Sequence, residues 1–247
     1  MMKKIIFAVV LAMLISAGTC YADEVDDLLG YYVNRFKPEN AELVISEKPD
    51  PTGKFNDIYM NLRGVMIEGL RLNRLAFRMM GVQFNDPSEW KSGKVECTDA
   101  LRIEAIGELY ETDINRAIES KTFGKDADHW HDMSLKITPQ GLSGRGYYTA
   151  TVMIIPLDIL LEIDSGLKIV KGKELWLNNP KVKVNTLDVP DYVTKQALAK
   201  IQPLVDLKKI PLPMTLHKID LKQGVATLST RTLPKPLTQG LKYSYTK

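Results

Sequence analysis

The feature that most constrains the fold of this chain is an alternation of apolar and polar residues with a period of two. In residues 157–163 every odd position is apolar, and acidic side chains occupy positions 158, 162 and 164. Successive side chains of a β-strand point to opposite faces, so the alternation predicts strands with one apolar face. The apolar residues of this stretch are Leu157, Ile159, Leu161 and Ile163.

Two details of the alternation give sharper predictions. Leu70 and Leu72 continue the even-numbered apolar positions of the preceding strand, whereas Leu75 and Phe77 are odd-numbered. Because a shift of one residue moves side chains to the other face, we predict a bulge or turn near Asn73–Arg74. In the next strand we place five residues on one face: Val95, Cys97, Leu101, Ile103 and Ala105.

Helical spacing is rarer and occurs in separated segments. Residues 24–37 form the first predicted helix, which Pro38 ends; residues 111–124 form the second, capped by Thr112 or Asp113 and closed by Gly124. Residues 189–203 form the third, with an apolar stripe of Val193, Ala197, Ile201 and Leu204.

So few helices among so many strands exclude a doubly wound parallel sheet. They favour an α+β fold in which a long, curved antiparallel sheet, or more than one, wraps around one or two amphipathic helices. We expect a single domain over residues 23–231. The proline-bearing residues 232–247 are predicted to be a loose tail.

The first 22 residues are typical of a secretory signal peptide. Lys3 and Lys4 precede an apolar run from Ile5, and small residues follow it. That run is shorter than the ~20 residues of a membrane-spanning helix. We expect cleavage after Ala22 and export of the mature chain; a retained lipid anchor at Cys20 is the alternative.

Charge excludes one class of partner. The chain has 33 basic and 30 acidic residues, and residues 1–22 contain two lysines and no acid, so the mature net charge is +1. A nucleic-acid-binding domain is expected to be more basic, so no nucleic acid is predicted as a partner. One cysteine, Cys97, follows the signal peptide, so no internal disulfide is expected after cleavage.

One cluster raises the alternative of a metal-dependent hydrolase. Carboxylates and imidazoles together suit zinc or a similar ion. The simpler interpretation is a polar loop that leads into a strand. No nucleophile motif with its partners accompanies the cluster. The cluster consists of Asp126, Asp128, His129, His131 and Asp132.

Much of the chain resembles the LmeA-like phospholipid-binding family of exported bacterial proteins. The resemblance lies in "GLSGRGYY" from Gly141, two long amphipathic strands, "LWLNNPKVKVN" from Leu175, a helix after Pro190, "IPLP" from Ile210 and "KIDLKQGVATLS" from Lys218. The strand–turn–strand pattern of residues 57–84 also fits. The resemblance implies a relation to tubular lipid-binding modules, in which a curved sheet and a helix enclose lipid tails. It implies no catalytic residues, and with the signal peptide it implies a place in the periplasm or cell envelope.

The expected function is therefore non-enzymatic binding of phospholipid or another acyl lipid, with transport or presentation of the lipid as an extension. No cofactor is expected, peripheral contact with a membrane is a candidate interaction, and the sequence identifies no protein partner. The predicted apolar lining comprises Leu157, Ile159, Leu161, Ile163, Val193, Ala197, Ile201, Leu204 and Leu212.

Residues 202–219 combine prolines and lysines with a dense apolar set, and two interpretations stay open. The segment lines the mouth of a lipid tunnel, with Lys208 and Lys209 near the head groups, or it plugs the open end of the sheet. A structural envelope module with a filled core is likewise open, because a tunnel lining and a packed core have the same composition.

Overall fold

The computed structural model describes residues 23–67, 69–120, 129–152, 155–199, 202–206 and 213–247. The helices in this part of the chain are α1 (Glu24–Phe36), α2 (Glu111–Ser120), α3 (Asp191–Leu198) and a 3-10 helix (Pro87–Ser92). The strands are β1 (Asn40–Ile45), β2 (Lys54–Ile67), β3 (Leu70–Phe84), β4 (Cys97–Tyr110), β5 (Trp130–Thr138), β6 (Gly141–Val152), β7 (Ile155–Val170), β8 (Glu174–Val184), β9 (Leu187–Asp188), β10 (Val205–Asp206), β11 (Lys218–Lys222), β12 (Val225–Ser229) and β13 (Leu241–Thr246).

The strands form two antiparallel sheets. The first sheet has the order β11-β12-β4-β3-β2-β1-β13, and the second has the order β10-β8-β7-β6-β5 with β9 paired to β8. Every strand pair in both sheets is antiparallel, as expected for strands with one apolar face. The α+β prediction is confirmed at this level: open antiparallel sheets with few helices.

Helix α1 begins and ends where its sequence dictates. The Asp23 carboxylate accepts from the Val25 amide at 3.4 Å, and the Asp26 carboxylate accepts from the Asp23 amide at 3.1 Å, which completes a capping box. At the other end Lys37 adopts a left-handed conformation with φ of 45°. Pro38 follows and cannot continue the helix.

The inner face of the first sheet is a filled core. Helix α1 buries Val25, Leu28 and Tyr32 against it, and strand residues such as Leu62 are 0% exposed. Phe55 stacks on Trp90 with ring centroids 6.0 Å apart, and the Trp90 indole donates to the Asn85 carbonyl at 3.2 Å. Aromatic residues contribute large buried areas, so this sheet and helix have a core of their own.

The two sheets meet along α2 and the β11–β12 hairpin. Helix α2 packs against β5, and the Gly224 amide of the hairpin turn donates to the Ile137 carbonyl of β5 at 2.9 Å. At the far side of the junction, the Leu216 amide donates to the Gly172 carbonyl at 2.7 Å. None of the described helices is long and apolar enough to cross a membrane.

Two sequence predictions about local structure are wrong. Residues 241–246, assigned to a loose tail, form β13 and pair with β1 from Asn40↔Thr246 to Ile45↔Leu241. The prolines lie before β13 and do not interrupt the strand. Helix α2 begins at Glu111, one or two residues before the predicted caps, and Gly124 lies outside the described residues.

The predicted break near Asn73–Arg74 is confirmed in part: β3 keeps one register with β2, but the ladder skips the pair Gly64–Asn73, and Leu72 and Leu75 both pack on the core. The irregular backbone lies across the ladder at Gly64, with φ of 62°. A second irregular position of β3 is Gly81, with φ of 54°. Opposite it, the predicted face of β4 is wrong. There Leu101 lies against Gly81 and is 87% exposed, whereas Ala100 packs on the core.

Candidate functional site

The second sheet has one apolar face and one polar face. Leu161 of β7 pairs with Gly146 and Val184, and Ile163 pairs with Gly144 and Val182. Directly paired residues of a ladder point to the same face, so the register brings apolar residues of four strands together. We call this surface the apolar face: Trp130, Leu135, Ile137, Leu142, Tyr148, Ala150, Ile155, Leu157, Ile159, Leu161, Ile163, Val182 and Val184.

The described residues do not bury this apolar face as the first sheet is buried. Ile155 is 60% exposed and Leu157 is 48% exposed, and Ile159, Leu161 and Ile163 are half-buried. In the described strands of this sheet, the fully buried large apolar side chains are Ile137, Leu175 and Leu177. Contiguous apolar surface of this kind marks a place where a ligand, a partner or a membrane binds.

The opposite face of the same sheet is polar. The Thr149 hydroxyl donates to Asp158 at 2.7 Å, and the His131 ring stacks on Tyr147 with centroids 5.4 Å apart. Glu162 and Lys183 are also paired across β7 and β8 on this side. Water therefore solvates one side of the sheet, and the apolar face is the side that requires a cover.

Glycines in β6 make the apolar face shallow in its centre. Met133 lies over Gly146, where a β-carbon would collide with it. At Gly144 a β-carbon would approach the Ile163 side chain to 3.0 Å. The "GLSGRG" segment thus leaves room for neighbouring side chains that a larger residue would displace.

The structure brings four of the predicted lining residues together: Leu157, Ile159, Leu161 and Ile163 share one face of β7. Leu204 is 38% exposed, and its amide donates to the Leu175 carbonyl at 2.8 Å, beside β8. Helix α3 packs beside β8, but the side chains of Val193 and Ala197 are not described. Ile201, Leu212, Lys208 and Lys209 lie outside the described residues, so their predicted roles stay predictions.

The two histidines of the candidate metal cluster contact different partners. His131 Nδ1 lies 3.1 Å from the Asp132 carboxylate and Nε2 lies 3.3 Å from the Asp158 carboxylate, and these contacts raise the pKa of His131. His129 Nδ1 lies 2.8 Å from the Thr149 carbonyl. No metal-binding group of three or more side chains occurs within the described ranges; Asp126 and Asp128 lie outside them.

Three arginines of the first sheet, Arg71, Arg74 and Arg78, are matched by carboxylates. Arg71 bonds Glu39 at 2.9 Å and the buried Asp113 at 3.1 Å, and Arg78 bonds Asp57 at 2.7 Å. The hydrogen bonds that the Arg71 guanidinium donates to Glu39 raise the pKa of Arg71 despite partial burial. These arginines are therefore engaged within the protein and are poor candidates for binding lipid head groups.

A cleft of about 420 Å³ lies at the edge of the first sheet, and no sequence pattern predicted it. Its walls are residues 100–104 of β4, the extended segment 213–217 and the turn 230–232. These segments are far apart in the chain, so no local spacing could have revealed the cleft. The lining residues that carry charge are Arg102, Glu104 and Arg231, and His217 lies beside them.

Comparison with known proteins identifies the family of this chain. A model of the family described as LmeA-like phospholipid-binding matches residues 41–230, which include nearly every described strand. No curated protein and no solved structure gives a match. The matched region covers most of the chain, and the chain therefore belongs to the LmeA-like phospholipid-binding family.

Proposed function

We propose that this protein binds a phospholipid without acting as an enzyme, by covering its acyl chains with the apolar face of the second sheet. The observation that carries the proposal is the exposure of that face in a chain that belongs to a phospholipid-binding family. Alternating Leu and Ile side chains on long strands offer a continuous apolar track with no polar group to desolvate.

The track is long enough for an acyl chain. Residues 155–163 span eight steps of ~3.3 Å, or about 26 Å. One leaflet of a bilayer has a hydrocarbon layer of about 15 Å, half of the whole core. A single chain therefore fits along β7 with length to spare, and two chains fit side by side across β6, β7 and β8.

The energetics favour binding even when ordering costs are large. Each buried methylene contributes about 0.8 kcal/mol, so ten methylenes contribute about 8 kcal/mol. Association costs offset part of that sum. Because the gain is spread over many contacts, we expect no single residue to dominate the affinity.

The tubular arrangement of related lipid-binding modules suggests how the lipid would be enclosed. Helix α3 already packs beside β8, and the bond from the Leu204 amide to the Leu175 carbonyl holds residue 204 at the β8 edge. In the proposed complex, α3 forms one wall and the apolar face forms the other. The competing interpretation, a filled core, requires another layer of protein over side chains such as Ile155, which is 60% exposed.

We propose that the protein works in the cell envelope after export. The support is the order of Lys3 and Lys4, the apolar run and the small residues before Asp23. Mass analysis of the exported protein tests this: a chain that begins at Asp23 is expected, and an intact Met1 or a diacylglyceryl group on Cys20 would contradict it.

Transfer between membranes is the finer part of the proposal. Leu187 of β9 is 73% exposed and pairs with Val184 of the apolar face, and Tyr192 in the first turn of α3 is 68% exposed. An exposed leucine and tyrosine suit contact with a bilayer surface, where lipid would enter or leave. Transfer of labelled phospholipid between two vesicle populations should accelerate when the protein is added.

The direct test is native mass spectrometry of the purified mature protein, followed by solvent extraction and lipid analysis. We expect adducts whose masses equal those of the extracted phospholipids. The ratio of lipid to protein should be the same whether or not the protein has been exposed to detergent. A protein that carries no lipid and takes up none from vesicles would refute the proposal.

A further inference from the structure

The cleft at the edge of the first sheet carries an unmatched positive charge. Two arginines line it, Arg102 and Arg231, against one carboxylate, Glu104. Glu104 is buried and accepts from Arg102 at 2.7 Å, so these two charges neutralise each other. Arg231 is exposed and forms no ion pair with a residue in the described ranges, which leaves its charge for a ligand.

Hydrogen bonds hold the walls of the cleft in place. Arg102 also donates to the Thr232 hydroxyl at 2.8 Å, which fixes the guanidinium between β4 and the turn. The Thr230 hydroxyl accepts from the Ala105 amide at 2.9 Å, and the His217 amide donates to the Ser229 carbonyl at 2.9 Å. A cleft with fixed donors binds an anion without first losing side-chain freedom.

The imidazole of His217 also lines the cleft. Its Nδ1 lies 2.9 Å from the Thr215 carbonyl, and because a carbonyl only accepts, Nδ1 carries the proton. Its Nε2 has no hydrogen-bond partner among the described residues. Arginine forks match the oxygens of a phosphate in geometry and charge, so phosphate is the anion that this arrangement suits best.

Two neighbours distinguish a lipid head group from a free ion. Leu101 also lines the cleft and is 87% exposed, so an apolar side chain stands at the rim beside the arginines. The bond from the Leu216 amide to Gly172 brings the turn Lys171–Lys173 against the outside of the 213–217 wall. An exposed leucine beside arginines suits the boundary between phosphates and acyl chains.

We propose that this cleft binds the phosphate of an anionic phospholipid, chiefly through Arg231 with support from Arg102. The inference rests on the proposed function, since the ligand is a phospholipid, but the site is distinct from the apolar face. It adds head-group selectivity to acyl-chain binding.

The test compares the purified chain with Arg231→Gln, using three soluble probes: dihexanoyl phosphatidylglycerol, dihexanoylglycerol, which lacks phosphate, and inorganic phosphate. Arg63→Gln is the matched control, because Arg63 is exposed on β2 and forms no ion pair with a described residue. Arg231→Gln is expected to weaken phosphatidylglycerol binding about tenfold, the loss typical of a charge-assisted hydrogen bond. Its binding of dihexanoylglycerol should equal that of the parent, and Arg63→Gln should match the parent for both lipids.

Other outcomes would contradict the site, the lipid assignment or the proposed function. Equal binding of phosphatidylglycerol by the parent and by Arg231→Gln would overturn the site, as would an equal loss for both lipids. Inorganic phosphate that binds as tightly as phosphatidylglycerol, and only with Arg231 present, would overturn the lipid assignment in favour of free phosphate. If the parent binds neither lipid, the proposed function fails, and the phosphate probe alone decides whether the cleft is an anion site.

Discussion

A matched pair of leucine-to-alanine substitutions separates a lipid-binding face from a packed core. Leu157 lies on the apolar face and is 48% exposed, whereas Leu62 lies in the core of the first sheet and is 0% exposed. Each substitution removes the same three carbons, which are worth about 2.4 kcal/mol when fully buried. The two sites differ only in how much of that burial the protein itself supplies.

The exposures divide the cost between folding and binding. At Leu157 the protein covers about half of the side chain, so Leu157→Ala should lower the free energy of unfolding by about 1.2 kcal/mol. That corresponds to a fall in Tm of about 2–5 °C for a chain of this size. A bound acyl chain would cover the other half, so lipid affinity should fall by a similar free energy, about sevenfold.

At Leu62 the whole cost falls on folding. Loss of a fully buried leucine typically costs about 3–5 kcal/mol because a cavity is left behind, which corresponds to about 6–20 °C in Tm. The folded fraction of Leu62→Ala should bind lipid like the parent. Thermal unfolding followed by circular dichroism and titration with a fluorescent phospholipid provide the two measurements. If Leu157→Ala lost as much stability as Leu62→Ala and bound lipid like the parent, the apolar face would be part of a packed core.

Three further predictions follow from the ion pairs and the cysteine. Asp158→Asn should lower the pKa of His131 towards its ordinary value, which NMR titration can measure. The ion pair stabilises the fold below the unfolded pKa of ~6.5, and this stabilisation is lost as the pH rises through the raised folded pKa. The Tm of the variant should therefore be lower than that of the parent at about pH 5.5, and the difference should shrink towards about pH 8.5. Arg71→Ala should cost about 3 kcal/mol in chemical unfolding, because it removes a partner of the buried carboxylate of Asp113. Burial raises the pKa of the Cys97 thiol to about 11, so at pH 8 only about a thousandth is thiolate, and alkylation by iodoacetamide should be far slower in the folded protein than in denaturant.

Each of these has a control or a contrary outcome. Lys94→Ala removes an exposed ion pair with Glu89 and should leave stability nearly unchanged, so an equal loss in both variants would show that burial of Asp113 is unimportant. A His131 pKa that does not respond to Asp158→Asn would mean that Asp132 alone sets it. Equal alkylation rates in folded and unfolded protein would contradict the burial of Cys97.

Much of the fold could be predicted because strand and helix periods are local properties. The caps of α1, the strand positions and the polarity of each face of β7 follow from neighbouring residues. The shared face of Leu157, Ile159, Leu161 and Ile163 on β7 was predicted for that reason. The same rule failed at Leu101, because a glycine on the paired strand, Gly81, turns that side chain outwards.

The sequence by itself determined most of the strands, the apolar side of β7, and the family to which the pattern belongs. Only the tertiary structure decided that the strands divide into two sheets, that the last residues close the first sheet beside β1, and that one apolar face is filled whereas the other is left open. It also assembled the Arg102 and Arg231 cleft from three distant segments. The physical reason is that composition sets the preference of a side chain for burial, but only the elements packed against it decide whether protein or a ligand supplies the cover.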